Sequence, residues 1–69
     1  MPEPIQVLIV DDEPLARLGL RRLIEAADGY AVIGECRDGV EALESIRMLR
    51  PAVVLLDIEM PEMGAFDVL

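Results

Sequence analysis

The chain has 69 residues, of which 14 are acidic and six are arginine, with no lysine or histidine, so its formal net charge is −8. This length allows one domain at most, and the acidic balance argues against contact with nucleic acid or an anionic membrane, since both need clustered basic side chains. Because Cys36 is the only cysteine, an internal disulfide and a zinc site of cysteine and histidine ligands are excluded.

The first part of the chain predicts a strand followed by an amphipathic helix. Residues Ile5 to Val10, "IQVLIV", form a nearly continuous β-rich run that is typical of a buried strand. Pro14 suits the first turn of a helix, and Asp12 or Glu13 can cap it. From Leu15 to Ala27 charged residues share one face and apolar residues share the other. The charged face has Arg17, Arg21, Glu25 and Asp28, with Arg21 and Glu25 as an exposed pair, and the apolar face has Ala16, Leu20, Leu23, Ile24 and Ala27.

The second part repeats this order. Ala31 to Cys36 predicts a shorter strand near an edge of the sheet. "DGVE" then opens a second helix, in which Asp38 and Glu41 have the spacing of a capping box. The residues expected to face inward are Val40, Leu43, Ile46 and Leu49. Arg50-Pro51 closes the helix, because the residue before proline resists helical conformation, and Val53 to Leu56 is the third strand.

A loop, "EMPEMGA", follows the third strand, and "FDVL" predicts the start of a third helix. Strands that alternate with helices of this length imply right-handed crossovers and a parallel sheet. If the strand order is 2-1-3, strands one and three flank the switch point where ligands bind in open α/β sheets. Asp11 and Asp12 follow strand one and Asp57 follows strand three, so the three carboxylates are expected to converge there.

Three converging carboxylates raise one another's pKa unless a cation compensates their charge. Oxygen ligands favour a hard cation, and Mg²⁺ is commonly held by one or two carboxylates with waters and a phosphate. A carboxylate beside such an ion can attack phosphorus and form an aspartyl phosphate. Each acid alone is more simply a helix cap or a solvated loop residue, but the joint placement of Asp11, Asp12 and Asp57 favours the metal site.

Other phosphate-handling sites fit the sequence poorly. A flavin-binding protein of the same topology needs a small, hydroxyl-rich loop after strand one, where "DDEP" would repel a phosphate. No G-x-G-x-x-G or P-loop motif is present. A haloacid-dehalogenase-type phosphatase would have Asp-x-Asp after its first strand, whereas "DIE" follows the third strand here and has Glu59 as its second acid.

Three segments together resemble the receiver domain of bacterial two-component response regulators. "VLIVDDEPLARLGL" is similar to the family's first strand, acidic pair and first helix; "GECRDGVEAL" to its second strand and second helix; and "PAVVLLDIEMPEMGAFDVL" to its phosphoacceptor strand and loop. The resemblance covers the whole chain and is most specific in "LLDIEMP" at its distance from "VDDE". "DDEPLAR" is most similar to regulators with a LytTR-type DNA-binding output domain.

The resemblance implies a fold and a role for each matching residue. The fold is α/β and flavodoxin-like (CheY-like), truncated to βαβαβ plus the start of a third helix, with strand order 2-1-3. Asp57 would be the phosphoacceptor, Asp12 would bind Mg²⁺ directly, Asp11 would help through water, and Glu59 would give its backbone carbonyl to the metal. The phosphodonor would be a phosphohistidine of a sensor histidine kinase, and the domain would control an output such as transcription without being an enzyme itself.

Two departures from the family pattern matter. The family usually has glycine eight residues after the acceptor, whereas this chain has Ala65 there and Gly64 one place early. A receiver also has five strand-helix units, and residues 1–69 hold two and a half of them. The Ser or Thr after strand four and the Lys after strand five are missing, so the segment is expected to be unable to switch.

The alternative function is a non-catalytic receiver-like module that serves assembly only. The apolar strand 53–57 would be central in a complete receiver, so its open edge predicts self-association of the segment. The longest apolar run, Ala52 to Leu56, has five residues, so no signal peptide or transmembrane segment is expected and a cytoplasmic location is predicted.

Overall fold

The computed structural model describes residues 3–56, and the elements below refer to that part of the chain. Three strands alternate with two helices, as the sequence predicts. Their bounds are β1 Ile5–Val10, α1 Pro14–Ala26, β2 Tyr30–Cys36, α2 Gly39–Leu49 and β3 Val53–Leu56. Neither described helix is long and apolar enough to cross a membrane.

The three strands form one parallel sheet in the predicted order β2-β1-β3. The pairing of β1 with β2 shifts by one residue between Val7 and Leu8, so that Leu8 lies opposite Gly34. The pairing of β1 with β3 is regular and ends with Val10 opposite Leu56. The α/β fold with strand order 2-1-3 is therefore confirmed for the described residues.

The central strand β1 supplies most of the core. Its last four residues, Val7 to Val10, are at most 2% exposed, which explains why "VLIV" is an unbroken apolar run. Cys36 and Ala42 complete the buried apolar set, and Ile46, Val54 and Leu56 pack against it. The parallel strand with a neighbour on each side is thus the most protected element.

Helix α1 begins at Pro14, which lies in its first turn as predicted, and packs mainly over β2. Glu13, one of the two predicted cap residues, is the N-cap, but its side chain makes no capping bond. The backbone N–H of Glu13 instead donates to Oδ1 of Asp11 at 2.9 Å. Asp11 directly follows β1, and its short side chain reaches the amide two residues on, where the chain turns into the helix.

Helix α2 has the predicted N-terminal signature. Oδ1 of Asp38 accepts from the Glu41 N–H at 2.9 Å, and Oε1 of Glu41 accepts from the Arg37 N–H, also at 2.9 Å. The return bond of the capping box therefore goes to the residue before the N-cap. The helix ends before Pro51, as predicted, and Arg50 takes the left-handed conformation with φ 49°.

The inward face of α2 differs from the prediction at two positions, Val40 and Leu49. Val40, expected to face the core, is 60% exposed, and Leu49 is also exposed, whereas Ile46 packs against the core. The buried positions of the helix are Gly39 and Ala42. Small residues at these positions let the helix backbone approach the sheet closely, which turns the Val40 side chain toward solvent.

Candidate functional site

The candidate site lies at the edge of the sheet where the carboxyl ends of the strands meet. Val10 and Leu56 pair at the end of the β1–β3 ladder, and the backbone N–H of Asp11 donates to the carbonyl of Cys36 at the end of β2, at 3.0 Å. All three described strands therefore end at one edge, as expected of a parallel sheet with this order. Asp57 and Glu59 follow in sequence but lie outside the described residues.

The two acids after β1 differ in their surroundings. Asp11 is 7% exposed and uses one carboxylate oxygen to accept the Glu13 N–H, while Asp12 is exposed. A buried carboxylate needs such a partner, because desolvation without one is costly. Asp11 is therefore a fixed, buried acid, and Asp12 is an acid open to solvent at the same turn.

A cavity borders this turn, between α1 and β3. It has a volume of about 380 Å³ and is lined by Asp11, Glu13, Ala16, Leu20, Leu55 and Leu56. A second, almost wholly apolar cavity of about 330 Å³ continues along the helix and is lined by Leu20, Leu23, Ile24, Ala27, Tyr30 and Leu55. The apolar face of α1 predicted from the sequence thus lines a groove rather than a closed core.

The charged face of α1 joins the acidic turn to β2. Nη1 of Arg17 donates to the backbone carbonyl of Asp11 at 2.7 Å, and its Nε lies 3.5 Å from Oε1 of Glu35. Arg21 also pairs with Glu35 through Nη1, and its Nε donates to Oε1 of Glu25 at 2.6 Å. The predicted Arg21–Glu25 pair is therefore present and exposed.

Glu35 is the partner of both Arg17 and Arg21, and it was not predicted from the sequence. Two arginines four residues apart on α1 and an acid near the end of the adjacent strand were a signal, but only the packing of α1 over β2 shows that they meet. The hydrogen bonds from Arg21 to Glu35 and then to Glu25 raise the pKa of the Arg21 guanidinium, which therefore stays protonated.

Cys36 lies at the end of β2 and is 2% exposed. Its thiol donates to Oγ of Ser45 on α2 at 3.3 Å. Burial raises the pKa of the Cys36 thiol, and the Ser45 hydrogen bond opposes this effect more weakly. A thiol with a raised pKa and little exposure is a poor nucleophile, so Cys36 is a packing residue.

The donor chemistry of the acidic turn fits a hard cation. Its side-chain donors are carboxylate oxygens, and one of the two acids is already fixed in place by a backbone N–H. Within residues 3–56 there is no group of three metal-ligating side chains, and the third acid of the predicted set, Asp57, lies outside this range.

The comparisons with known proteins identify the family. Residues 7–69 match the family model described as response regulator receiver domain, and the chain belongs to this family. It is 48% identical over 64 residues to the transcriptional regulatory protein BtsR of Salmonella typhi. The aligned residues are 93% of this chain and 27% of the relative. It is 49% identical over 63 residues to a protein-glutamate methylesterase/protein-glutamine glutaminase of Paramagnetospirillum magneticum, which covers 91% of this chain and 18% of the relative.

Solved structures agree with the family. The signal receiver domain of the putative response regulator NarL from Mycobacterium tuberculosis has a TM-score of 0.91 and 42% identity, covering 97% of this chain and 54% of that one. The response regulator domain of Thermotoga maritima CheB has a TM-score of 0.89 and 36% identity. The match covers 96% of this chain and 49% of that one.

The chain is thus a receiver domain of the two-component response regulators, with the predicted CheY-like fold. Receiver domains are signalling modules that sensor histidine kinases phosphorylate, and they generally bind Mg²⁺ at the phosphorylation site. They are not enzymes in their own right; the methylesterase activity is in the name of a relative of which this chain spans 18%. The chain spans about a quarter or less of the length of these curated relatives.

Proposed function

We propose that this chain accepts a phosphoryl group on Asp57 from the phosphohistidine of a sensor histidine kinase. The proposal rests on the pairing of Val10 with Leu56, the last residues of β1 and β3. Both strands therefore end at the same edge of the sheet. The residues next in sequence are Asp11 and Asp57, so an acceptor at position 57 would lie beside the acidic turn.

Magnesium would be held by the carboxylates of Asp11, Asp12 and Asp57 and by the backbone carbonyl of Glu59. The oxygen donors of the acidic turn support this set, and the exposure of Asp12 supports direct ligation by that residue. A bound Mg²⁺ neutralises charge on the phosphoryl oxygens. Asp11, fixed by the Glu13 N–H, is suited to orient a metal-bound water rather than to move.

In the proposed transfer, a carboxylate oxygen of Asp57 forms a bond to phosphorus while the phosphorus–nitrogen bond of phosphohistidine breaks. The electron pair of that bond stays on the donor imidazole, and the product is an aspartyl phosphate. The chain has no histidine, so it can only be the acceptor in this reaction.

We further propose that residues 1–69 are the first two and a half strand-helix units of a five-unit receiver, acting in the cytoplasm and controlling an output such as transcription. The structural comparison supports the first statement, because the chain covers 54% of the solved NarL receiver structure. The relatives named transcriptional regulatory protein support the second. Ala65, at the usual glycine position, lies outside the described residues.

A second candidate function is self-association through β3. Within residues 3–56 this strand pairs only with β1, so its outer edge has open backbone groups, and an apolar groove adjoins it. Sedimentation across a range of concentrations tests this: the proposal predicts a rising average mass, and a constant monomer mass at micromolar concentration would contradict it.

Incubation with acetyl phosphate and Mg²⁺, followed by intact-mass measurement, tests the phosphoacceptor proposal. The wild-type chain is expected to gain the mass of one phosphoryl group, and Asp57→Asn to gain none. Asp28→Asn is a matched control, because it removes an exposed acid from the turn after α1. If wild type gains no mass, or Asp57→Asn gains it equally, the chain is not a phosphoacceptor at this position.

A further inference from the structure

Asp11 is held by three hydrogen bonds, two to its backbone and one to its carboxylate. Its N–H donates to the Cys36 carbonyl at 3.0 Å, and its carboxylate accepts the Glu13 N–H at 2.9 Å. Its carbonyl accepts from Nη1 of Arg17 at 2.7 Å. The first two bonds use backbone groups as partners, so among residues 3–56 Arg17 is the side chain that holds Asp11 by a hydrogen bond.

Arg17 is itself anchored. Its own backbone N–H donates to the Glu13 carbonyl at 3.0 Å as part of the first helical turn, and its Nε lies 3.5 Å from Oε1 of Glu35. The side chains of Arg17 and Glu35 are 21% and 29% exposed, so the pair is partly covered at the surface of the domain. A planar guanidinium that serves two acceptors in a fixed geometry holds each of them more rigidly than a single-point donor does.

We propose that Arg17, anchored by Glu35, is a positioning residue that orients the Asp11–Asp12 turn toward a divalent cation. The peptide group that joins Asp11 to Asp12 is planar, so a bond to the Asp11 carbonyl also fixes the backbone N–H and the Cα of Asp12. The Asp12 side chain therefore starts from a fixed Cα, and less of the turn has to be ordered when a cation binds. This inference rests on the proposed function, because it takes the acidic turn to be the cation site.

Whether loss of Arg17 weakens or strengthens Mg²⁺ binding distinguishes a positioning role from a purely electrostatic one. Arg17 is a cation next to the acidic turn, so its charge alone opposes the binding of another cation. Removing Arg17 would therefore strengthen Mg²⁺ binding if charge were its only influence. If Arg17 positions the ligands, its removal weakens binding, since the turn must be ordered when the ion binds.

Titration of the whole chain with Mg²⁺, followed by backbone amide chemical shifts, measures this effect without any phosphorylation. Arg17→Ala is expected to bind Mg²⁺ about tenfold more weakly than wild type, the lower end for loss of a side chain that supports metal ligands. Arg22→Ala is the matched control, because Arg22 is exposed on the same helix, and it is expected to bind as tightly as wild type or slightly more tightly. Equal or tighter binding by Arg17→Ala would overturn the proposal.

A milder variant decides the matter if Arg17→Ala does not fold, as judged by far-ultraviolet circular dichroism. Arg17→Lys keeps the charge and a donor, but one ammonium cannot hold both the Asp11 carbonyl and Glu35 in the same way. It is expected to weaken Mg²⁺ binding by a smaller factor, and unchanged binding would overturn the proposal.

The wild-type titration distinguishes failure of the proposed cation site from failure of the positioning role of Arg17. If wild type shows no Mg²⁺ response that Asp12→Ala removes, the cation site fails and the role of Arg17 fails with it. If that response is present but neither Arg17 variant alters it, the cation site stands and only the positioning role is overturned.

Discussion

Val10 and Leu56 are partners at the last position of the parallel pairing between β1 and β3. Val10 is fully buried, and an aspartate follows each of the two residues in sequence, Asp11 after Val10 and Asp57 after Leu56. Val10 and Leu56 are 46 positions apart in the chain (56 − 10), and the pairing brings both to one edge of the sheet.

The two glycines Gly19 and Gly34 are predicted to respond to alanine with opposite signs. A Cβ at Gly34 would lie 3.0 Å from Cδ1 of Leu8 and 3.3 Å from Cδ1 of Leu49, so Gly34→Ala should lower the free energy of unfolding by about 1–3 kcal/mol. Gly19 lies inside α1 with nothing within 4 Å, so Gly19→Ala should raise it by about 0.5–1 kcal/mol. Urea unfolding followed by circular dichroism measures both, and shifts of the same sign would contradict the packing.

The N-cap of α2 is predicted to contribute measurably to stability. Asp38→Ala removes the acceptor of the Glu41 N–H and should lower the free energy of unfolding by about 1 kcal/mol. Glu44→Ala, at an exposed position of the same helix, is the control and should change it by at most about 0.5 kcal/mol. Equal unfolding midpoints for the two variants would show that the cap is not formed in solution.

Stability is predicted to fall at alkaline pH through Cys36. Burial raises the pKa of this thiol in the folded chain, so the unfolded chain loses its thiol proton first as the pH rises. The contribution is complete below the ordinary thiol pKa of about 8.5 and declines as the pH passes that value toward the raised one. Unfolding free energies at about pH 8 and about pH 10 should therefore differ more in wild type than in Cys36→Ala. Equal differences would mean that the thiol titrates normally in the folded chain.

Asp12 is predicted to dominate the Mg²⁺ affinity of the chain. Asp12→Ala removes an exposed carboxylate of the acidic turn and should abolish the saturable Mg²⁺ response of the backbone amides. Asp28→Ala removes the same charge from the turn after α1 and should leave the response in place. A similar loss in both variants would indicate that Mg²⁺ only screens the net charge of −8.

Hydrophobic patterning predicted the elements well, because the same residues fix both burial and local structure. The run "IQVLIV" marked β1 over its observed length, and the Asp38–Glu41 spacing marked the start of α2. Val40 was wrongly predicted to face inward, because the period of a helix does not reveal whether large or small residues face the sheet. In α2 the buried residues are the small ones, Gly39 and Ala42. That choice depends on how closely α2 packs against β2 and β1.

The candidate site was predicted in part. The sequence pointed to Asp11 and Asp12 from their place after β1, and the structure brings this turn to the edge where β3 ends. The sequence could not show that Asp11 is buried and accepts the Glu13 N–H. Nor could it show that Arg17 and Glu35 meet beside Asp11. These contacts depend on the angle at which α1 crosses β2, which no local pattern encodes.

The most direct test of the central claim is to locate the phosphoryl group after reaction with acetyl phosphate and Mg²⁺. Borohydride converts an aspartyl phosphate to homoserine, so peptide mass spectrometry of the reduced chain reads the acceptor position. The account predicts homoserine at position 57 only, and less of it when Asp12 is replaced by alanine. Homoserine at Asp11 or Asp12, or at no aspartate at all, would contradict it.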